Sequence, residues 1–225
     1  QWPELLHEAM RRNGVGDEQT DAYLRITVSR GAGDIGLDPS LCPRATVVIM
    51  TKTLPPSPPI LSREGVSLTV AHTRRNLPEA LSPHIKSTNF LNNILAKRES
   101  IAAGTFDSLF LNWKGELTEC TVSNLFFISG KTLHTPALDC GILDGITRTI
   151  VMTLAQEEGL PVQEGHYHVA DLQRAEECFL TNTSMEIMPV SRVDSFAIGD
   201  GRPGPLTRRL QTRFADSRTR FLEPP

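Results

Sequence analysis

Hydrophobic residues recur at helical spacing in four stretches of this chain, and they alternate at strand spacing in segments between those stretches. Leu5, Ala9 and Met10, for example, lie on one face of the first helix. The pattern predicts helices at residues 2–13, 89–103, 147–158 and 206–214, the second capped by Thr88 or Asn89. It predicts strands at residues 23–29, 45–54, 66–71, 106–112, 117–120, 125–129, 132–134, 178–180 and 195–198.

A proline-rich segment, Pro55-Pro56-Ser57-Pro58-Pro59, separates the first two strands from the rest of the chain. Proline cannot join a sheet ladder or the interior of a helix, so this segment is typical of a linker. We therefore expect an α+β protein with two domains. Residues 1–59 hold the remainder of a small N-terminal domain and the linker. Residues 60–225 hold a larger domain in which short strands form an antiparallel meander.

Composition and charge narrow the class of protein. The 225 residues are 39% hydrophobic and 22% charged, which suits a globular protein with a sizeable core. A net charge of -3 and a pI near 6.1 do not favour nucleic acid as a partner. No apolar run reaches the length of a membrane span, and the first residues predict an amphipathic helix rather than a signal sequence. We expect a cytoplasmic protein without a membrane partner.

The sequence shows no metal-binding motif. The cysteines are scattered without CxxC spacing, at Cys42, Cys120, Cys140 and Cys178. We expect buried thiols in a reducing compartment. His166-Tyr167-His168 could place two imidazoles on one face of a strand, but no third ligand follows at matching spacing. An exposed strand is the favoured interpretation, and no metal site is predicted.

Lys86 is one of five lysines in the chain, and it lies just before the second predicted helix. An apolar neighbour, Ile85, and a nearby helix start are conditions that can activate a lysine as a nucleophile. The alternative is an exposed lysine whose stem covers Ile85. Taken alone, the local sequence favours that alternative.

Three further segments contain groups suited to a charged ligand. Glu119 ends a strand beside Cys120, where a carboxylate is costly unless it is paired or exposed. Gly145-Ile146-Thr147 opens a helix, whose free amides and dipole suit a phosphate group. Thr181-Asn182-Thr183-Ser184 gathers short donors that suit an anion. Each segment also has an ordinary alternative: an exposed strand residue, a helix cap and a turn, respectively.

Four segments in this order, SPHIKSTNFLNN, ELTECTVSNLFF, GILDGITR and LTNTSMEIMPV, resemble the class IV aminotransferases of pyridoxal-phosphate fold type IV. The resemblance runs from about Tyr23 to about Leu210. It implies a small α/β domain followed by a larger domain with a barrel-like sheet and flanking helices. It also implies that Lys86 binds pyridoxal 5'-phosphate covalently and moves the substrate proton, while Glu119 pairs with the pyridine nitrogen. Further cofactor contacts are implied for Asn124, Leu143, Gly145, Ile146, Thr147, Asn182 and Thr183.

The resemblance points to more than one substrate. Tyr23-Leu24-Arg25 followed by GAGDIGL is similar to branched-chain aminotransferases, which implies that the guanidinium of Arg25 binds a dicarboxylate co-substrate. Val28-Ser29-Arg30-Gly31 resembles the strand of D-amino-acid aminotransferases that holds the α-carboxylate, so Arg30 competes for this role. The Glu119-Cys120 pair is similar to aminodeoxychorismate lyases. Thr183 and Ser184 are further candidates for substrate contacts.

The resemblance implies a homodimeric transaminase that moves an amino group between a branched-chain L-amino acid or a D-amino acid and a 2-oxo acid such as 2-oxoglutarate. The alternative is a lyase that makes 4-aminobenzoate and pyruvate from aminodeoxychorismate, and a non-catalytic family member is a third. Two family features have no match: an N-terminal stretch with a phosphate-binding arginine, and a tyrosine after the lysine, where Phe90 stands. We therefore expect an incomplete small domain, with phosphate binding by two loops.

Overall fold

The computed structural model describes residues 2–16 and 21–221, and the chain divides into two compact units, Gln1–Pro56 and Ser57–Pro225. The first unit contains α1 (Trp2–Asn13) and an antiparallel pair of strands, β1 (Ala22–Ser29) and β2 (Thr46–Thr53). The predicted helix and strands of this unit are confirmed to within one residue at each end.

The second unit begins with a short helix that the hydrophobic pattern did not predict, α2 (Pro59–Glu64). Proline lies in its first turn. There the fixed φ of proline suits a helix, and the missing N–H has no partner to lose. The end of the proline-rich segment is thus a helix start.

Nine strands of the described chain form the sheet of the second unit. In chain order they are β3 (Val66–Val70), β4 (Asp107–Leu111), β5 (Leu117–Cys120), β6 (Asn124–Ser129), β7 (Thr132–Pro136), β8 (Val162–Gly165), β9 (Glu177–Asn182), β10 (Glu186–Val193) and β11 (Phe196–Ala197). The remaining α-helices of this unit are α3 (Leu91–Ala103), α4 (Ile146–Glu157), α5 (Val169–Gln173) and α6 (Pro205–Asp216).

Six of the strands close into a ring. The strands β4, β5 and β6 pair antiparallel in sequence, β6 also pairs with β9, and β9 pairs with β10. The ring closes through β3, which runs parallel to both β10 and β4. The barrel-like sheet expected from the resemblance is therefore present, and the predicted meander is confirmed for β4 to β7.

The two faces of this sheet carry separate apolar clusters, because successive residues of a strand point to opposite faces. Leu125 and Phe127 of β6 belong to one cluster, to which all six strands of the ring contribute. Phe126 and Ile128 belong to the other, together with residues of α4 and α6 such as Val151 and Leu210. These two helices thus cover the face to which Phe126 points.

Two local predictions are wrong. The N-cap of α3 is Phe90, which makes no side-chain cap hydrogen bond, so neither Thr88 nor Asn89 caps this helix. Residues 166–168 are not a strand, because β8 ends at Gly165 and the backbone N–H of His168 donates to the Asp171 carboxylate at the start of α5.

Within the described residues, no helix is both long enough and apolar enough to cross a membrane.

Candidate active site

The carboxylate of Glu119 is buried on β5, and both of its oxygens accept hydrogen bonds. Cys120 points to the opposite face, into the first apolar cluster. Glu119 is 5% exposed. Its Oε1 accepts a hydrogen bond from Arg75 Nη2 at 2.5 Å. Its Oε2 accepts from the backbone N–H of Leu143 at 2.9 Å and from Asn124 Nδ2 at 3.2 Å.

Burial raises the pKa of Glu119 to about 7, because loss of water penalises the charged form. The Arg75 charge, the Leu143 amide and the Lys86 charge favour the carboxylate and act in the opposite direction. Lys86 is therefore near enough to Glu119 for its charge to act there. A cationic ring nitrogen next to this carboxylate would favour the ionised form in the same way.

Arg75 is a site residue that the hydrophobic pattern did not identify. Its guanidinium donates to the carbonyl of Gly141 at 3.3 Å and to Asn93 Oδ1 at 3.4 Å. The guanidinium carbon lies 5.3 Å from the centre of the Phe110 ring. The available signal was indirect: a buried carboxylate requires a cationic partner, and Arg74-Arg75 follows a predicted strand.

Asn124 connects Glu119 to the start of α4. It pairs with Glu119 across β5 and β6, and its Nδ2 also donates to the carbonyl of Leu143 at 2.8 Å. A Cβ added at Gly145 would lie 2.2 Å from Asn124 Oδ1. An added methyl group would therefore displace the Asn124 side chain, whereas the φ of -79° at Gly145 is open to any residue.

The N-terminus of α4 offers donors that suit a phosphate group. Gly145 is the N-cap, and no side chain caps the helix. The first amides of a helix have no acceptor within it, and the helix dipole adds positive charge at this end. Thr147 is buried in the first turn, next to the exposed Ile146.

A buried hydroxyl on a neighbouring strand adds to this donor set. Thr181 lies opposite Asn124 in the pairing of β9 with β6. Its Oγ1 is buried and has no hydrogen-bond partner among the described residues, and the same holds for Ser123 Oγ. Buried polar groups ordinarily have partners. A phosphorylated pyridine cofactor needs a carboxylate for its ring and hydroxyl and amide donors for its phosphate group. The unpaired hydroxyls, the free amides of α4 and the Glu119 carboxylate supply these groups, so these residues fit pyridoxal phosphate.

The turn between β9 and β10 contains the other predicted loop residues. Asn182 Oδ1 accepts from the backbone N–H groups of Ser184 and Met185, at 3.0 and 2.8 Å. Its Nδ2 donates to the carbonyl of Val122 at 3.2 Å, in the turn between β5 and β6. Asn182 therefore holds the shape of the turn. The side chains of Thr183 and Ser184 are left exposed.

Lys86 lies in an irregular segment before α3, and its side chain is exposed. It makes no hydrogen bond or ion pair with any residue that the structure describes. The exposed lysine that the local sequence favours is therefore present, although Ile85 is itself 64% exposed. The Lys86 ammonium group is thus available to a ligand.

The two arginines proposed for substrate binding belong to the first unit and differ in their contacts. The guanidinium of Arg30 donates to the carbonyls of Gly36 at 3.0 Å and Asp38 at 3.4 Å, so it supports the loop after β1. Arg25 is exposed on β1, and its side chain makes no hydrogen bond or ion pair within the described part of the chain.

Comparisons with known proteins identify the family of this chain. A sequence model of the family described as "Amino-transferase class IV" matches residues 1–193. A putative branched-chain-amino-acid aminotransferase from Methanocaldococcus jannaschii is 37% identical over 218 residues, which are 97% of this chain and 73% of that protein. Aminodeoxychorismate lyase from Bacillus subtilis is 34% identical over 211 residues, 94% of this chain and 70% of the relative.

The structural comparison gives the same family. A branched-chain amino acid aminotransferase from T.th., solved with pyridoxamine 5'-phosphate, has a TM-score of 0.88 and 30% identity, and the match covers 95% of this chain and 69% of that one. The chain therefore belongs to the class IV aminotransferases, with the fold type IV architecture. Enzymes of this family use pyridoxal phosphate.

Proposed function

We propose that this aminotransferase moves amino groups between branched-chain L-amino acids and 2-oxoglutarate or a related 2-oxo acid. The observation that carries the proposed site is the buried Glu119 carboxylate, which is fixed by Arg75, Asn124 and the Leu143 amide while the Lys86 charge acts on it from nearby. This arrangement supports the binding of an electron-withdrawing ring between the Glu119 carboxylate and the Lys86 amine.

The residues that would hold the cofactor follow from this arrangement. Lys86 would bind it covalently through Nζ, Glu119 would face the ring nitrogen, and Leu143 would pack on the ring. The phosphate group of the cofactor would be bound by residues of two loops, namely Gly145, Ile146, Thr147, Asn182 and Thr183. When bound, pyridoxal phosphate supplies a ring that accepts the electrons left behind as the substrate loses its α-proton.

The side chains of this chain carry the proton transfer. With the cofactor bound, the Lys86 amine would accept the substrate α-proton on Nζ and pass it to the aldehyde carbon of the cofactor. A flexible, exposed side chain can make this movement without breaking contacts within the protein. Glu119 remains ionised next to a cationic partner and keeps that charge in place.

Arg25 is the favoured residue for binding the co-substrate carboxylate. Its guanidinium is not engaged within the first unit, whereas the guanidinium of Arg30 donates to two backbone carbonyls. A free guanidinium can form the bidentate pair that a carboxylate favours. The hydroxyls of Thr183 and Ser184 are exposed and would add substrate contacts from the β9–β10 turn.

A panel of amino donors with 2-oxoglutarate as acceptor tests the proposal. We expect glutamate to form from leucine, isoleucine and valine. Activity restricted to D-alanine would instead favour Arg30 as the α-carboxylate ligand. Release of pyruvate from aminodeoxychorismate without an amino acceptor would establish the lyase, which the Glu119-Cys120 pair and the Bacillus subtilis relative support. Absence of turnover by cofactor-loaded protein with every donor would support a non-catalytic family member.

We also propose that the enzyme is a cytoplasmic homodimer. The exposed face of α3 carries apolar side chains, including Leu91, Ile94 and Leu95, which supports burial against a second copy. Four free cysteines support a reducing compartment. Light scattering should give twice the 24.8 kDa of one chain, and a monomer would contradict the proposal.

A further inference from the structure

We propose that Glu116, Cys140 and His166 form a Zn²⁺ site that is separate from the cofactor site. The three side chains are far apart in sequence, and the fold brings them together. Glu116 precedes β5, Cys140 ends the short 3-10 turn Leu138–Cys140, and His166 follows β8.

The ligand atoms are arranged at distances that suit zinc. His166 Nδ1 lies 3.2 Å from Glu116 Oε1 and 3.6 Å from Cys140 Sγ. All three ligand atoms lie within 4.8 Å of one another. Tetrahedral zinc with bonds of 2.0–2.3 Å separates neighbouring ligand atoms by roughly 3.3–3.7 Å. Two of the three pairs are already close to this separation.

The surroundings of the cluster orient its ligands. The other ring nitrogen of His166, Nε2, lies 3.2 Å from Asp139 Oδ2. A carboxylate at this position fixes the tautomer that leaves Nδ1 free for a metal. The remaining oxygen of Glu116, Oε2, accepts a hydrogen bond from Asn112 Nδ2 at 2.7 Å. Outer partners of this kind accompany most histidine and carboxylate ligands of zinc.

The donor set and the exposure favour zinc over harder cations. Thiolate and imidazole ligands suit Zn²⁺, whereas Mg²⁺ and Ca²⁺ prefer oxygen ligands only. Glu116 and Cys140 are 8% and 1% exposed, while the side chain of His166 is 44% exposed. A zinc ion bound there would have three protein ligands and access to water as the fourth.

Zinc at this site would connect the cluster to the loop that contacts Glu119. Gly141 follows Cys140 directly, and its carbonyl accepts from Arg75 Nε. Two residues further on, the Leu143 amide donates to Glu119. A metal bond to Cys140 would therefore restrain the start of this loop and stabilise the native state by mass action.

The test is zinc binding by the purified enzyme with its cofactor, after treatment with a chelator. Calorimetric titration with Zn²⁺ should give one equivalent per chain, and Co²⁺ in its place should give a near-ultraviolet thiolate-to-cobalt absorption band. His166→Ala and Cys140→Ser should abolish both signals. Asp139→Asn should weaken binding by about tenfold, because it removes only the outer partner.

Two matched controls keep the result specific. Cys42→Ser removes a thiol of the other unit, and His168→Ala removes the second imidazole of the same segment, so both should bind zinc as the wild type does. Because His166 is exposed, His166→Ala is expected to fold even if Cys140→Ser does not. No uptake of zinc by the wild type, or equal uptake by His166→Ala, would overturn the proposal. Neither outcome depends on the substrate of the enzyme.

Discussion

Glu119 and Lys86, the two residues central to the proposed chemistry, have opposite surroundings. Glu119 is buried, and its two oxygens accept three hydrogen bonds. Lys86 is exposed in an irregular segment and has no hydrogen-bond partner among the described residues. A charge that must stay next to one ring atom requires fixed partners. An amine that must leave a bond, carry a proton and return requires freedom to move.

This contrast predicts that substitutions of the two residues have different effects on activity and on stability. Removing an exposed side chain without partners affects chemistry and leaves the fold nearly unchanged. Removing one member of a buried charged pair affects both, because the remaining charge loses its partner. Arg75 would be left in that state without Glu119.

The largest expected effect is that of Lys86→Ala. The change removes the covalent anchor and the proton-transfer group together, so the transamination rate should fall by at least about 10³-fold. The free energy of unfolding of the cofactor-free protein should change by no more than about 0.5 kcal/mol. Initial rates and urea unfolding measure the two effects. Lys114→Ala, at another exposed lysine, should keep wild-type activity, and a fully active Lys86→Ala protein would disprove the assigned role.

Glu119→Gln should have the next largest effect on the rate. The amide keeps the shape of the side chain and loses the charge that faces the ring nitrogen, so kcat should fall by about 10²–10³-fold. The matched control is Glu99→Gln. The Glu99 carboxylate accepts from the amides of His72 and Thr73 and makes no contact with Glu119. Equal kinetic losses in both variants would mean that stability, rather than the charge at Glu119, determines the rate.

The raised pKa of Glu119 predicts a pH-dependent stability for the cofactor-free protein. Its pKa is about 7 in the folded state against an ordinary 4.5, so the native state binds more protons than the unfolded state between these values. Its contribution to stability is complete below about pH 4.5 and is lost as the pH rises to about 7. At about 1.4 kcal/mol per unit, the loss is on the order of 3 kcal/mol.

Urea unfolding of the wild type and Glu119→Gln from pH 5 to 8 would measure this loss. The wild-type free energy of unfolding should fall relative to that of the variant across this range. Parallel curves for the two proteins would show that the carboxyl group is already ionised at pH 5 and that Arg75 outweighs burial.

Sequence periodicity predicted most of the strands, including uniformly buried ones such as β4 and β5, and it missed β8 and β10. The first five residues of β10 are almost completely buried, and they include Pro189, which argues against a strand. The short β8, Val162–Gly165, contains little apolar surface. Closure of the ring through β3 depends on parallel pairing between residues far apart in the chain, which periodicity does not encode.

The candidate site was predicted from the order of four segments rather than from local physics. The structure brings Glu119, Asn124, Leu143 and Gly145 into one network, and their contacts with a cofactor stay predictions. Arg75 was missed because its role arises only from tertiary contact. The cluster around His166 was missed for the same reason, since its other ligands come from distant turns. The roles of Lys86, Thr183, Ser184 and the two arginines of the first unit likewise stay predictions.

The smallest expected effect concerns the steric contact that connects Glu119 to α4. Gly145→Ala places a Cβ 2.2 Å from Asn124 Oδ1, so the Asn124 amide must move away from Glu119 and Leu143. Overpacking of this kind should lower the free energy of unfolding by about 1–3 kcal/mol. The backbone at Gly145 has a φ that alanine also adopts, so the contact alone should cause the loss.

A double-mutant cycle with Asn124→Ala isolates this contact. Without the Asn124 side chain the new methyl group meets no oxygen, so Gly145→Ala should cost at least about 1 kcal/mol less in the Asn124→Ala background than in the wild type. If the two costs are equal, the strain lies elsewhere in the loop before α4. In that case the rigid surroundings of Glu119 would extend only as far as Asn124. The start of α4 would then be able to adjust, as the segment that contains Lys86 does.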